Sequence, residues 1–225
     1  MSTIRRFLER LKLVRSEVVD DSKVVFAPDD PVIILLGESG VGKSLFVRTL
    51  SKAAGITVTH DLCPNTKNAS VVKCELVLTD GSEKRTVLVV DMPPKDCPGY
   101  MTEVRRINNK FSNNPVAILY LYKLTQNRAD KKEFPHKPSS LMMCKERKES
   151  LFLATTMRDG ISEDVRQRRE KTHDLAQSMW KQVWSDHFKN AGEDLPTNLK
   201  EAFKYENSQE SALAIVQAIL ANLRT

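Results

Sequence analysis

Hydrophobic residues follow two patterns along this chain, unbroken runs and stripes that recur at helical spacing. Unbroken or alternating runs predict β-strands over residues 31–36, 71–79, 84–91, 116–122 and 150–156. Stripes at spacings of three and four predict helices over residues 2–15, 44–54, 102–112, 162–190 and 207–223. Because strands and helices alternate, we expect a three-layer α/β fold with a mostly parallel central sheet. A ligand site is then expected at the carboxyl ends of the strands.

Short local signals predict where several of these elements begin and end. Asp80-Gly81 separates two of the strands and is a strong hairpin signal. Gly55 is suited to ending the helix that starts at residue 44, because glycine readily adopts a left-handed conformation. Asn207 followed by Glu210 resembles a capping box at the start of the last helix.

The first predicted strand leads directly into a glycine-rich segment of the form G-x-x-x-x-G-K-S, and a helix follows it. Such glycines let the backbone curl until consecutive N–H groups point at one anion. Lys43 adds a positive charge beside the β- and γ-phosphates, and the Ser44 hydroxyl is suited to ligating Mg²⁺. We therefore predict a nucleoside-phosphate site that includes Mg²⁺. It comprises Gly37, Glu38, Ser39, Gly40, Val41, Gly42, Lys43, Ser44 and Leu45.

A carboxylate follows the apolar strand of residues 84–91. A buried strand that ends in Asp91 matches the Walker B arrangement, in which the carboxylate faces the coordination shell of the metal. A simple turn cap is the alternative role for this aspartate. Residues 156–159 also follow an apolar strand, so we expect them to lie at the same edge of the sheet as Asp91 and the glycine-rich loop.

The amino-acid composition is that of an ordinary globular chain and argues against several other classes of protein. Of the 225 residues, 40% are hydrophobic and 28% are charged, which argues against a disordered chain. No apolar run approaches the roughly 20 residues of a bilayer span, and the first residues lack a signal-peptide pattern. The four cysteines form no C-x-x-C pair, so neither zinc nor a disulfide framework is expected. We accordingly expect a cytoplasmic protein.

The net charge of +6 raises the question of a polyanionic partner. Basic residues cluster at 145–148 and 166–169, but acids lie within or beside both clusters and no aromatic residues interleave with them. A solvated surface explains these clusters best. Nucleic acid or an anionic lipid is the weaker alternative.

Residues 2–15 form a basic amphipathic stripe, which predicts a helix at the start of the chain. Packing on the domain or on a partner subunit is the preferred role of this helix, and contact with an anionic membrane surface is the alternative. We divide the chain into residues 1–30, which hold this helix and a polar lead-in, and a P-loop domain over residues 31–225.

Five further segments occur in an order found in one group of proteins. They are H-D-L-C-P-N-T at 60–66, V-V-D-M-P-P at 89–94, A-I-L-Y-L-Y-K-L-T-Q-N-R at 117–128, A-T-T-M-R-D at 154–159 and Y-E-N-S-Q-E-S-A at 205–212. Their order resembles a fungal group of small P-loop G domains, related to the septins and to the immunity-associated and chloroplast-import (Toc) GTPases. The resemblance covers roughly residues 31–224. It implies GTP or GDP as the ligand, Mg²⁺ as the cofactor and a homodimer formed across the nucleotide face.

The resemblance also implies roles for individual residues. Thr66 resembles the switch I threonine, which contacts Mg²⁺ and the γ-phosphate, and Thr59 is its competitor. Asp91 resembles the switch II aspartate, which reaches the metal through water. Thr156 and Asp159 resemble the two ends of the base-recognition motif, whose carboxylate accepts hydrogen bonds from guanine. A purely structural helix cap is the alternative role for Asp159.

Two positions depart from the pattern of that group. Met157 stands in place of the base-recognition lysine, so packing over the base is kept and the charge is lost. The usual Asp-x-Pro-Gly of switch II reads Asp91-Met92-Pro93-Pro94, and Pro94 has no N–H to donate to the γ-phosphate. Lys95 stands where glutamine or histidine would orient a water molecule, and lysine cannot accept a hydrogen bond.

A second string, Asp96-Cys97-Pro98-Gly99, carries the expected switch II letters a few residues later. No predicted strand leads into it, so we interpret it as a loop coincidence. The alternative is that Gly99 bends back and replaces the missing donor.

These observations favour a guanine-nucleotide-binding protein with slow or partner-dependent GTP hydrolysis, in which Lys43 and Thr66 are the catalytic residues. A non-hydrolysing interaction module is the main alternative. A small-molecule or nucleotide kinase could use the arginines of residues 166–169 as a lid, but no second-substrate pocket is evident. An ATPase is the weakest alternative, because Asp159 has no role in reading adenine.

Overall fold

The fold is described from a computed structural model of the chain. It describes residues 11–52, 68–78, 84–94, 97–123, 151–156 and 202–223, together with residues 165, 167, 171, 173–175, 177–182 and 185.

A seven-stranded mixed sheet forms the centre of the molecule. Its strands are β1 (Leu11–Val19), β2 (Val32–Leu36), β3 (Ser70–Leu78), β4 (Lys84–Asp91), β5 (Val116–Lys123), β6 (Leu151–Thr156) and β7 (Ala202–Lys204). They lie in the order β1-β3-β4-β2-β5-β6-β7. The five strands from β4 to β7 are parallel, whereas β3 pairs antiparallel with both β4 and β1. The prediction of a mostly parallel sheet is confirmed.

Helices cover both faces of the sheet, as the unbroken apolar strands require. The helices are α1 (Lys43–Ser51), α2 (Tyr100–Lys110) and α3 (Gln209–Asn222), and the described residues between 165 and 185 are also helical. Alternate residues of β2 enter two separate cores. Val32 and Ile34 pack in the core beneath α2 and Trp180, and Ile33 packs in the core beneath α1 and α3. The three-layer α/β architecture is therefore confirmed.

The predicted helix over residues 2–15 is wrong for residues 11–15, which form the first half of β1. Leu11 and Leu13 fit both a helical stripe and an alternating strand, and pairing with β3 decides in favour of the strand. Residues 2–10 lie outside the described part of the chain.

The ends of two helices also differ from the sequence prediction. The helix α1 ends at Ser51, and Lys52 adopts the left-handed C-cap with a φ of 52° that we expected of Gly55. The helix α3 starts one residue later than the capping signal indicated, because the Ser208 hydroxyl accepts a hydrogen bond from Ser211 N. None of the described helices has the length and hydropathy needed to cross a membrane.

Candidate functional site

The glycine-rich loop connects the carboxyl end of β2 to α1. Gly37 has a φ of 147°, and a Cβ at this position would lie 2.6 Å from the carbonyl oxygen of Leu121. Only glycine therefore fits between this loop and β5. Gly42 is the N-cap of α1 in a left-handed conformation, and the first turn of α1 has no side-chain cap and no acidic residue. This end of α1 is suited to receiving an anion from outside the chain.

Lys43 folds back over the loop and is only 6% exposed. Its ammonium group donates hydrogen bonds to the carbonyl oxygens of Gly37 at 2.9 Å and Glu38 at 2.8 Å. Its positive charge is therefore held inside the curve of the loop, where the prediction requires it.

Ser44 and Asp91 lie in contact at the same edge of the sheet. The Ser44 hydroxyl donates a hydrogen bond of 2.5 Å to Asp91 Oδ2. Asp91 is 2% exposed, and its other carboxylate oxygen, Oδ1, has no hydrogen-bond partner among the described residues. Burial raises the pKa of Asp91, and the Ser44 hydrogen bond and the Lys43 charge offset this only in part. A cation would satisfy this carboxylate.

These groups fit Mg²⁺ by their chemistry. Magnesium takes oxygen ligands and is usually held by one or two protein groups, with phosphate oxygens and water completing the shell. The described residues contain no cluster of three or more His, Cys, Asp or Glu placed to hold a metal. The oxygen atoms of Ser44 and Asp91 suit a metal that arrives with a phosphate.

Thr156 ends β6 and reaches the glycine-rich loop. Its buried hydroxyl donates a hydrogen bond of 2.7 Å to the carbonyl oxygen of Val41. Ser39 and Gly40 are exposed on the loop, and Leu45 is half-buried in α1. Thus the predicted residues 37–45, Asp91 and Thr156 come together at one end of the sheet.

Three residues of the predicted site, Thr66, Met157 and Asp159, lie outside the described part of the chain. Their roles stay predictions.

Residues 92–94, directly after Asp91, are buried, and α2 begins at Tyr100. Pro93 and Pro94 are both buried, and the carbonyl oxygen of Pro94 accepts a hydrogen bond of 2.9 Å from Cys97 N. Gly99 is exposed and is the N-cap of α2, with a φ of 85°. Lys95 and Asp96 lie outside the described residues, so the interpretation of residues 96–99 as a loop coincidence stays a prediction.

Sequence reasoning missed a polar cluster that joins α2 to the start of β3. Glu103 Oε2 accepts a hydrogen bond of 2.8 Å from Ala69 N and another of 2.9 Å from Arg106. Arg106 also forms an ion pair with Asp21, two residues after β1. The spacing of Glu103 and Arg106 indicated only an ordinary helix pair, and nothing in the sequence pointed to Ala69 or Asp21.

A second contact that sequence reasoning missed is made by Thr155, the residue before Thr156. The hydroxyl of Thr155 and Nδ1 of His173 are 2.9 Å apart, and both side chains are buried. This pair fixes the end of β6 against the helical segment that contains His173.

Comparison with known proteins identifies the fold. No family model matches the chain, and no curated protein matches it. Solved structures do match over most of its length. One contains the chloroplast translocon components atToc33 and psToc159, for which dimerization is important for GTPase activity. Its TM-score is 0.53 at 16% identity, over 87% of this chain and 84% of that one.

Two further similar structures contain Toc33 from Arabidopsis thaliana. The complex with GDP and Mg²⁺ has a TM-score of 0.52 at 14% identity, over 88% of this chain and 85% of that one. The complex with Mg²⁺ and GMPPNP has a TM-score of 0.51 at 17% identity, over 87% of this chain and 85% of that one. At these identities the likeness concerns the fold alone. The chain has the fold of P-loop G domains.

Proposed function

We propose that the protein binds GTP and GDP together with Mg²⁺ and acts as a switch or assembly module with slow or partner-dependent GTP hydrolysis. The observation that carries this proposal is the contact of Ser44 with the buried, half-satisfied carboxylate of Asp91. The Toc33 structures with GDP and with GMPPNP, each with Mg²⁺, support guanine nucleotide as the ligand.

In this proposal the loop and α1 bind the phosphates. Backbone N–H groups of residues 38–44 surround the β-phosphate, and Lys43 exchanges its two carbonyl partners for phosphate oxygens. Ser44 and Asp91 hold Mg²⁺, which when bound offsets the negative charge of the phosphates. Thr66 contacts the metal and the γ-phosphate, and Asp159 reads the guanine base, as the resemblance to septin-like and Toc-like G domains implies.

Slow hydrolysis follows from the segment after Asp91. Pro94 is buried and has no N–H, so it cannot donate a hydrogen bond to the γ-phosphate. A transition state that lacks one donor is stabilised less, and a partner protein could supply the missing group. In the reaction, water attacks the γ-phosphorus in line with the bond to the leaving GDP, and Lys43 stabilises the charge that develops.

A non-hydrolysing interaction module is the second candidate, and Pro94 is the observation that favours it. In that case the phosphate site binds nucleotide for structural reasons and the γ-phosphate is not cleaved. A homodimer fits either candidate, and the dimerization of the Toc components supports it. The nucleotide face as its surface is what the resemblance to septin-like and Toc-like G domains implies. Residues 2–10, the part of the predicted amphipathic stripe outside the described residues, are proposed as a further contact with a protein or a membrane surface.

The test is to extract and chromatograph any nucleotide that the purified protein carries, and then to titrate fluorescent GDP and ADP analogues with and without Mg²⁺. We expect guanine nucleotide in the extract, tighter binding of the GDP analogue, and at least about tenfold weaker binding by Lys43→Ala. A protein that carries no nucleotide and binds neither analogue would overturn the proposal. Phosphate release from bound GTP separates the two candidates. Slow release indicates the GTPase, and no release indicates the non-hydrolysing module.

A further inference from the structure

The strand β1 lies at one end of the sheet, where β3 is its one neighbour among the described strands. Its residues 11–13 and 15–19 pair with β3, Val14 lies in a bulge between them, and no other described strand pairs with its outer edge. A long edge strand presents a row of backbone donors and acceptors that can pair with another strand.

Exposed side chains of β1 lie on both sides of Ser16 along the sequence. Val14 and Val18 are 57% and 43% exposed, unusually open for large hydrophobic residues in this protein. Each lies two residues from Ser16. Arg15 and Glu17 are the immediate neighbours of Ser16, and their side chains are 67% and 45% exposed.

Pairing with β3 tells which side chains share a face of the sheet. Ser16 is opposite Cys74 and Val18 is opposite Val72, and both partners belong to the core beneath α1 and α3. Because side chains alternate along a strand, Arg15 and Glu17 lie on the other face. A bulge between Leu13 and Arg15 interrupts the pairing with β3, so the strand is regular from Arg15 to Val19.

We propose that β1 pairs antiparallel with β1 of a second copy of this chain, about a twofold axis at Ser16. In this register Arg15 lies opposite the partner's Glu17, and both residues belong to the regular part of the strand. The symmetry repeats this contact, so two opposite-charge pairs form at once. The sheet then continues from one copy into the other.

The charges select this register over its neighbours. A twofold axis at Arg15 places this arginine opposite its own copy, and an axis at Glu17 places two glutamates together. Like charges directly opposite each other on neighbouring strands are destabilising. Only the axis at Ser16 brings each charge against its opposite.

This interface does not involve the nucleotide site. In the strand order, β3 and β4 separate β1 from β2, whose carboxyl end carries the phosphate-binding loop. The proposal therefore goes beyond the proposed function and stands without it, and it requires no bound nucleotide.

Charge reversal tests the interface by sedimentation of the nucleotide-free full chain. R15E and E17R each create two like-charge pairs, and we expect either variant to raise the dimer dissociation constant by about tenfold or more. The R15E chain then carries two acidic side chains at positions 15 and 17, and the E17R chain carries two basic ones. An equal mixture of the two should form heterodimers at least as tight as the wild-type dimer.

Controls separate the interface from the fold. Both single variants lose the Arg15–Glu17 ion pair within one chain, so their thermal unfolding is measured alongside. K171E reverses an exposed charge on a different element and should leave dimerization unchanged. A wild-type chain that stays monomeric at every concentration overturns the proposal. A dimer that R15E leaves intact, or a mixture without heterodimers, also overturns it and indicates another surface, such as the nucleotide face.

Discussion

The Ser44 hydroxyl donates its hydrogen bond to Asp91 Oδ2 at 2.5 Å, so the two groups proposed to hold Mg²⁺ contact each other directly. The contact joins the start of α1 to the end of β4, two elements far apart in sequence. Asp91 Oδ1 is buried beside it without a hydrogen-bond partner among the described residues. Replacing either side chain should therefore weaken Mg²⁺ binding more than it destabilises the fold.

We expect Ser44→Ala to weaken the Mg²⁺-dependent part of nucleotide affinity by about tenfold, equivalent to about 1.4 kcal/mol. Binding in excess chelator should change little, because the hydroxyl acts through the metal. Titration of a fluorescent GDP analogue with and without Mg²⁺ measures both quantities. Ser22→Ala, at an exposed position outside the nucleotide site, is the matched control. Equal losses with and without Mg²⁺ would contradict the assigned role of Ser44.

Gly37 and Gly40 allow a comparison within one loop. A Cβ on Gly37 would lie 2.6 Å from Leu121 O and 2.9 Å from Val41 Cγ2, whereas a Cβ on Gly40 would meet no atom within 4 Å. We expect Gly37→Ala to lower the free energy of unfolding by about 2 kcal/mol or more, and Gly40→Ala by about 1 kcal/mol. Denaturant unfolding of the nucleotide-free protein measures both, and similar losses would argue against the tight fit at Gly37.

Pro94 offers a test of why hydrolysis is slow. Both Pro94→Gly and Pro94→Ala introduce an N–H, and glycine also gives access to positive φ, which alanine rarely adopts. If the missing donor limits the rate, we expect Pro94→Gly to raise GTP hydrolysis by about tenfold and Pro94→Ala to give a smaller increase. Single-turnover phosphate release measures the rates.

Pro98→Ala, in the exposed turn before α2, is the control for Pro94. No change in either Pro94 variant would show that another group limits the reaction.

Glu103 should make the free energy of unfolding depend on pH in the acid range. Burial raises the pKa of Glu103, but hydrogen bonds from Arg106 and Ala69 N and the Arg106 charge outweigh it and leave the pKa below the unfolded value of 4.5. Its contribution is therefore complete above pH 4.5 and is lost as the pH falls through the lowered pKa. We expect Glu103→Gln to cost about 1 kcal/mol at neutral pH, with a smaller difference from wild type below pH 4.5.

Unfolding curves of wild type and Glu103→Gln across the acid range measure this dependence. Glu206→Gln, at an exposed position, is the control. If Glu103→Gln lowers the free energy of unfolding by the same amount at every pH, the charge of Glu103 does not contribute to stability.

The secondary-structure elements that the sequence predicted best are those with a single, clear residue pattern. An apolar run followed by regularly spaced glycines placed β2, the loop and the start of α1, and strand polarity predicted that Asp91 would meet Ser44. By contrast, Leu11 and Leu13 satisfied two periods at once, so only the partner strand β3 decided their structure. The three residues of β7 are too few to show any period.

The missed contacts were missed for a different reason. Ala69 and Glu103 are 34 positions apart and meet because β3 and α2 pack at the same end of the sheet. Such a contact involves a backbone N–H, which every residue except proline carries. No side-chain pattern could therefore have predicted it.

Arg106 connects three parts of the chain, since it contacts Glu103 in α2, the carbonyl oxygen of Ala69, and Asp21 just beyond β1. A displacement of α2 that breaks this cluster must also release Asp21. Thermodynamic reciprocity then requires that the coupling free energy with which the segment after β1 stabilises the present position of α2 equals the one with which α2 stabilises that segment. A structural change at either end of the cluster therefore affects the other end.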